Sequence, residues 1–264
     1  MIAIISQKFK EQYQSIIYYF IGLFAYSWMI MAIFPTMKKI DLESLYSQYP
    51  EEFLKFFGGD QMESMSKIEG FISMEFLSLF FILIVGFYVA SSAGSIIAGT
   101  IEKKTMDFQL TQPISRTKLV ISETVLGLLN SFLLTALTSF SIFVLGKAYN
   151  VDISNNGLLA FTAIATLMLW AFYGIALVLS SILKSKIVVA ASTIFILMGF
   201  YVFSSMTRIV DKLADYEKYS IFYLYDPQKL LMSGTINTNH ALILIFILMI
   251  GLFSSLIIFN KKDI

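Results

Sequence analysis

The stretch Phe76-Leu-Ser-Leu-Phe-Phe-Ile-Leu-Ile-Val-Gly-Phe-Tyr-Val-Ala-Ser-Ser-Ala-Gly-Ser-Ile-Ile-Ala98 decides the fold. It runs for 23 residues without a charge. A helix rises about 1.5 Å per residue, so about 20 such residues cross a hydrocarbon core of roughly 30 Å. Lipid offers the backbone no hydrogen-bond partner, and the run lacks the polar–apolar alternation of a barrel strand, so it must be helical. Working outward, five further stretches qualify, at about 16–34, 124–146, 158–183, 187–206 and 241–259. The chain is therefore expected to be an all-α integral membrane protein, a single domain over 1–264 with six transmembrane helices.

Composition points the same way. Hydrophobic residues make up 57% of the chain, charged residues 14%, and the mean hydropathy is +0.76. A soluble domain averages roughly 45–50% apolar and about 25% charged. A soluble fold of this size cannot hide so much apolar surface. The 25 Phe and 14 Tyr exclude disorder. With no Cys, a disulfide scaffold, a cysteine nucleophile and a zinc finger are excluded. A net charge of +1 gives no electrostatic case for nucleic acid.

Six spans put both termini on one side. Ten basic residues fall there and nine on the other, but the ten are packed into short segments: Lys8, Lys10, Lys103, Lys104, Arg116, Lys118, Lys184, Lys186, Lys261 and Lys262. Short loops dominate orientation, so both termini are expected in the cytoplasm of a cell-membrane protein. No cleavable signal is expected, because Lys8, Lys10 and Glu11 precede a full-length span. Ile2, Ile5, Phe9, Tyr13 and Ile16 recur at helical spacing, which predicts an N-terminal amphipathic interfacial helix leading into the first span.

The outer loops, 35–70 and 207–239, are expected to be helical. In the first, Leu42, Leu45, Tyr46 and Tyr49 line one face of a helix over 41–57, and Gly58-Gly59 ends it. The second starts as a charged helical continuation and turns aromatic over 219–225, before Asp226-Pro227 breaks it. That aromatic cluster reads either as a substrate contact or as a lid packed on the spans.

The connection 99–118 joins spans two and three on the cytoplasmic side. Residues 102–110 can form a short helix continuing from span two, Pro113 stops it, and Ser115 is placed to cap the next helix. It reads either as a structured element or as a solvated turn. Inside the membrane, Gly86, Ala90, Gly94 and Ala98 repeat every four residues in span two, and Gly127, Ser131, Thr135 and Ser139 do so in span three. Such stripes let helix backbones approach, here onto each other or onto a second copy of the chain.

No catalytic constellation is visible. The one histidine, His240, has no acid beside it in sequence, and no metal-ligand spacing occurs. The nearest match to a phosphate-binding loop, Gly94 to Thr100, lacks the lysine and lies in an apolar helix. No cofactor is expected in this chain. Glu75 is the one carboxylate noted at a hydrocarbon boundary, and it reads as interfacial or as part of an ion path.

As a whole, the chain resembles the permease subunits of the ABC type-2 exporter family. The resemblance rests on six spans, a long helical first outer loop, and the charged turn between spans two and three. Members of that family show an acidic run, a Gly-Thr pair, and a stretch ending in Pro-x-Ser-Arg. This chain has Glu102, Thr105, Asp107 and Gln112-Pro113-Ile114-Ser115-Arg116, with Lys103 and Lys104 where acids and the glycine are common. Tyr49-Pro50-Glu51-Glu52 and Phe56-Phe57-Gly58 are similar as well. The resemblance implies two permease chains, identical or homologous, joined to two cytoplasmic ATPase subunits that hold ATP and Mg. Glu102, Lys103, Lys104, Thr105, Met106, Asp107 and Phe108 would form a coupling helix seated on the ATPase. The cargo would be hydrophobic or amphipathic, such as a drug, peptide or lipid. An ion-coupled secondary transporter and a membrane scaffold are the alternatives. The first normally needs charged or broken spans at the midplane, and none is expected from this sequence, which is the feature that discriminates against it.

Overall fold

The computed structural model describes residues 2–37, 67–105 and 115–262. All regular structure among them is helical. Helix α1 spans Ile2–Met37, α2 Ile68–Ile72, α3 Phe80–Ile96, α4 Ala98–Glu102, α5 Arg116–Ala148, α6 Asn155–Ile182, α7 Lys186–Ile209, α8 Pro227–Ser233 and α9 Thr238–Asn260. Five of these are long and apolar enough to cross a membrane, and there are six such crossings if the bent pair Ile68–Leu77 and Phe80–Ile96 is one span.

Helix α6 is the centre of the bundle. Of its apolar window 61% is buried, against 28% for α1 and α7, so α6 meets protein where the others leave a face for lipid. It packs on α3, α5, α7, α8 and α9. The α6–α9 crossing is close because two glycines face each other: a Cβ on Gly251 would lie 2.5 Å from the Gly174 Cα. The outward faces carry Phe195, Phe246, Phe253 and Tyr18. Exposed apolar side chains in such number mark faces for lipid or another subunit.

Several boundaries differ from expectation. Helix α1 is unbroken from Ile2 through Pro35 to Met37, so no separate interfacial helix precedes the first span. At about 1.5 Å per residue it is about 54 Å long, well beyond one bilayer core. Pro35 withholds only the amide that would reach the Met31 carbonyl, and so close to the helix end the loss is tolerated. The helix expected over 41–57 lies outside the described residues.

The second span begins earlier than Phe76 and is broken. Helix α2 runs into a π-helical turn, Ser73–Leu77, and α3 starts after a break at Ser78 and Leu79, with a bend of 40°. Carbonyls beside the break receive side-chain donors, as an interruption at membrane depth requires. The Tyr26 hydroxyl donates to the Glu75 carbonyl at 3.2 Å, Tyr225 to the Leu77 carbonyl at 2.9 Å, and Ser78 to the Ser73 carbonyl at 2.7 Å. Tyr26 also packs on Phe76 and Phe80, with ring centroids 4.9 and 5.5 Å away.

The small-residue stripes face helices other than the expected ones. Helices α3 and α5 touch, but Gly86 meets Leu197, and Gly94 meets Val189 and the Lys186 carbonyl, all on α7. Ala90 is fully buried. Gly127 lies under the Tyr173 ring of α6. Ser131 accepts from the Trp170 indole at 3.2 Å, and Ser139 donates to the Leu158 carbonyl at 3.2 Å, both on α6.

Candidate coupling site

Two ends of the bundle are distinct. One gathers the end of α4, the starts of α5 and α7, and the ends of α6 and α9. The connection singled out in the sequence belongs to it. Helix α4 turns off α3 at Ile97, whose φ and ψ are −112° and −61°. The cause is a side chain inserted into the helix ladder. The buried Ser180 hydroxyl of α6 accepts from the Ala98 amide at 3.1 Å and donates to the Gly94 carbonyl at 3.4 Å. Those two groups would bond each other in an unbroken helix. Thr100 donates to the Ile97 carbonyl at 2.7 Å.

Helix α4 stops at Glu102, so the expected continuation from span two is interrupted there; residues 106–110 of the expected helix lie outside the described residues. The Thr105 amide returns to the Thr100 carbonyl at 3.0 Å and the Lys104 amide to the Ile101 carbonyl at 3.0 Å. Lys104 takes a φ of 54°. This is the Schellman termination, which places glycine's favoured left-handed position at Lys104. Lys103, Lys104 and Thr105 are exposed. Met106, Asp107 and Phe108 lie outside the described residues.

Glu102 turns to α7. Its carboxylate accepts from the Ser185 hydroxyl at 3.0 Å and from the Lys186 amide at 2.8 Å. Ser185, at the N-cap position of α7, makes no capping bond with its own side chain. A carboxylate from another helix takes that role, and negative charge is favoured at a helix N-terminus.

The far side of the connection is held in the same manner. Ser115 caps α5 by accepting from the Lys118 amide at 3.3 Å, as its position in the sequence suggested. Arg116 then reaches α9. One guanidinium nitrogen donates to the carbonyls of Phe259 at 3.2 Å and Lys262 at 2.9 Å, and the group lies 5.4 Å from the Phe259 ring centroid. The Lys262 ammonium donates to the Ser181 carbonyl of α6 at 2.9 Å. Burial, and after it the nearby Lys184 charge, hold that ammonium below the usual lysine range. At this face the start of α7 and the ends of α6 and α9 are thus capped by side chains of other segments, the start of α5 by Ser115, and the end of α4 by its own backbone. Arg116 and Lys262 went unselected in the sequence reading, although Arg116 closes the Pro-x-Ser-Arg stretch.

At the opposite end lies a pocket of about 530 Å³, walled by Arg208, Glu217, Tyr223, Asp226, Lys229 and His240 among others. The second outer loop forms its rim. Two 3-10 turns, Asp211–Tyr219 and Ile221–Leu224, replace the expected helical continuation. Asp226-Pro227 starts α8 instead of merely breaking the chain. The Asp226 side chain accepts from the Lys229 amide at 3.0 Å, and Pro227 fills the first helical turn. Of the aromatic stretch, Phe222 and Tyr225 are buried against the spans, while Tyr219 and Tyr223 stay exposed. Most of it is a packed lid.

One residue escaped the sequence reading altogether. Glu123 is 8% exposed inside α5, within electrostatic reach of the fully buried Tyr173. The third span was expected to begin at residue 124, but α5 begins at Arg116, which draws this carboxylate into the bundle. A family model described as ABC-2 family transporter protein matches residues 1–264. No curated protein and no solved structure matches the chain.

Proposed function

Because the chain belongs to the ABC-2 transporter family, we propose that it is the membrane-spanning permease subunit of an ATP-driven exporter. It is a multi-pass membrane component, and in this family such subunits are non-catalytic. In the proposed complex two copies, or this chain and a homologue, join two cytoplasmic ABC ATPases that bind ATP and Mg. The connection after α4 seats on the ATPase, and nucleotide-driven closure pushes it. The cargo is hydrophobic or amphipathic and leaves outward.

The observation that supports this reading is the anchoring of both ends of the connection. Glu102 holds α7, and Arg116 holds α9. A push applied between them is delivered to helix ends, not dissipated in a loose loop. Apolar side chains at the centre of an interface carry most of its energy, with charges at the rim steering and setting register. Phe108 is the proposed anchor.

The test is purification of the tagged chain from its own membrane. An ABC ATPase should accompany it, with hydrolysis that depends on this subunit. Phe108→Ala should cost about 2 kcal/mol or more of that association, roughly a thirtyfold weakening. A chain that purifies without any ATPase would leave the scaffold reading standing.

A further inference from the structure

We infer that Glu102 is a positioning residue that makes α4 and α7 one moving body, so that the drive reaching the connection is passed to the fifth span. This rests on the permease reading above and assigns the route inside the chain.

Three contacts carry it. The Glu102 carboxylate holds the first turn of α7 through the Ser185 hydroxyl and the Lys186 amide. Gly94 lets the same turn approach: a Cβ there would lie 3.2 Å from both the Lys186 carbonyl and the Val189 Cβ. Opposite them, the bond that would lock α4 rigidly to α3 is opened at Ile97 by Ser180. Helix α4 is therefore jointed to the span it follows in sequence and clamped to one that it meets only in space. Capping by a side chain on the helix itself would leave α7 independent of the connection. Capping by Glu102 does not.

The absence of native cysteine allows single-site spin labels. One label goes at Lys103→Cys beside α4, and one at Ile187→Cys, 74% exposed on the first turn of α7. Spectra are taken on the complex with its ATPase in nanodiscs, before and after ATP with vanadate. In the parent both labels respond. In Glu102→Ala the Lys103 label still responds, while the Ile187 response falls roughly tenfold, the scale of one charge-assisted hydrogen bond. Glu102→Gln keeps an oxygen facing the Lys186 amide and preserves the α7 response. If both labels respond in Glu102→Ala as in the parent, the clamp is not the route, although the permease reading stands. If neither label responds in the parent, the permease reading itself fails.

Discussion

At the scale of the residue, Lys104 carries the most instructive strain. It occupies the left-handed position that ends α4, with a φ of 54°. A side chain there crowds the backbone, and glycine does not. Lys104→Gly should therefore stabilise the protein by about 0.5–1 kcal/mol, after allowing for the freedom glycine gains when unfolded. The midpoint of thermal unfolding in detergent should rise; an unchanged or lower midpoint means that the lysine side chain makes a contact worth more than the strain. Lys104 is also the position where the pattern that the chain resembles has a glycine before the threonine, the residue that a left-handed angle favours. The sequence revealed that residue types differed here. It did not reveal that the difference falls on a backbone angle that favours glycine. Glu102 was legible as a charge near the turn, but not as a cap on α7, because its partners Ser185 and Lys186 lie 83 and 84 positions away.

At the scale of the element, the spans were legible because length and hydropathy are local properties, but their interruptions were not. Nothing in the run from Phe76 to Ala98 announces that its helix is broken at Ser78 and Leu79, or at Ile97. Both breaks are held by groups remote in sequence: Tyr26 and Tyr225 at one, Ser180 at the other. The stripes behaved likewise. Small residues at spacing four marked where backbones approach, while the identity of the facing helix came only from the fold. The outer break gives a direct test. Tyr225→Phe keeps the buried ring against Phe161 and removes only the hydroxyl that serves the Leu77 carbonyl. A buried carbonyl deprived of its donor costs about 1–3 kcal/mol. Thermal unfolding should show that loss, and an unchanged midpoint would mean that the break does not depend on Tyr225.

At the scale of the whole molecule, the two ends of the bundle differ in kind, and the difference carries a prediction about orientation. One end has short connections and interlocked helix caps at Glu102, Arg116 and Lys262. The other has long loops and the lid over residues 211–233, with the mixed-charge pocket beneath it. Basic residues are nearly equal in number at the two ends but dense only at the short-turn end. Density near span ends is what the insertion machinery reads, so that end should face the cytoplasm. An ATPase also needs a compact, stiff surface to push on, and the capped end offers one. Cysteine accessibility checks this cleanly in a chain with no native thiol. Ala214→Cys lies on an exposed turn of the lid and should react with an impermeant maleimide in intact cells. Lys118→Cys, exposed on the first turn of α5, should react only after the membrane is breached. The opposite pattern would turn the molecule over. It would put the caps outside, where no ATPase can reach them, and it would remove the physical basis for treating Glu102 as part of a drive train.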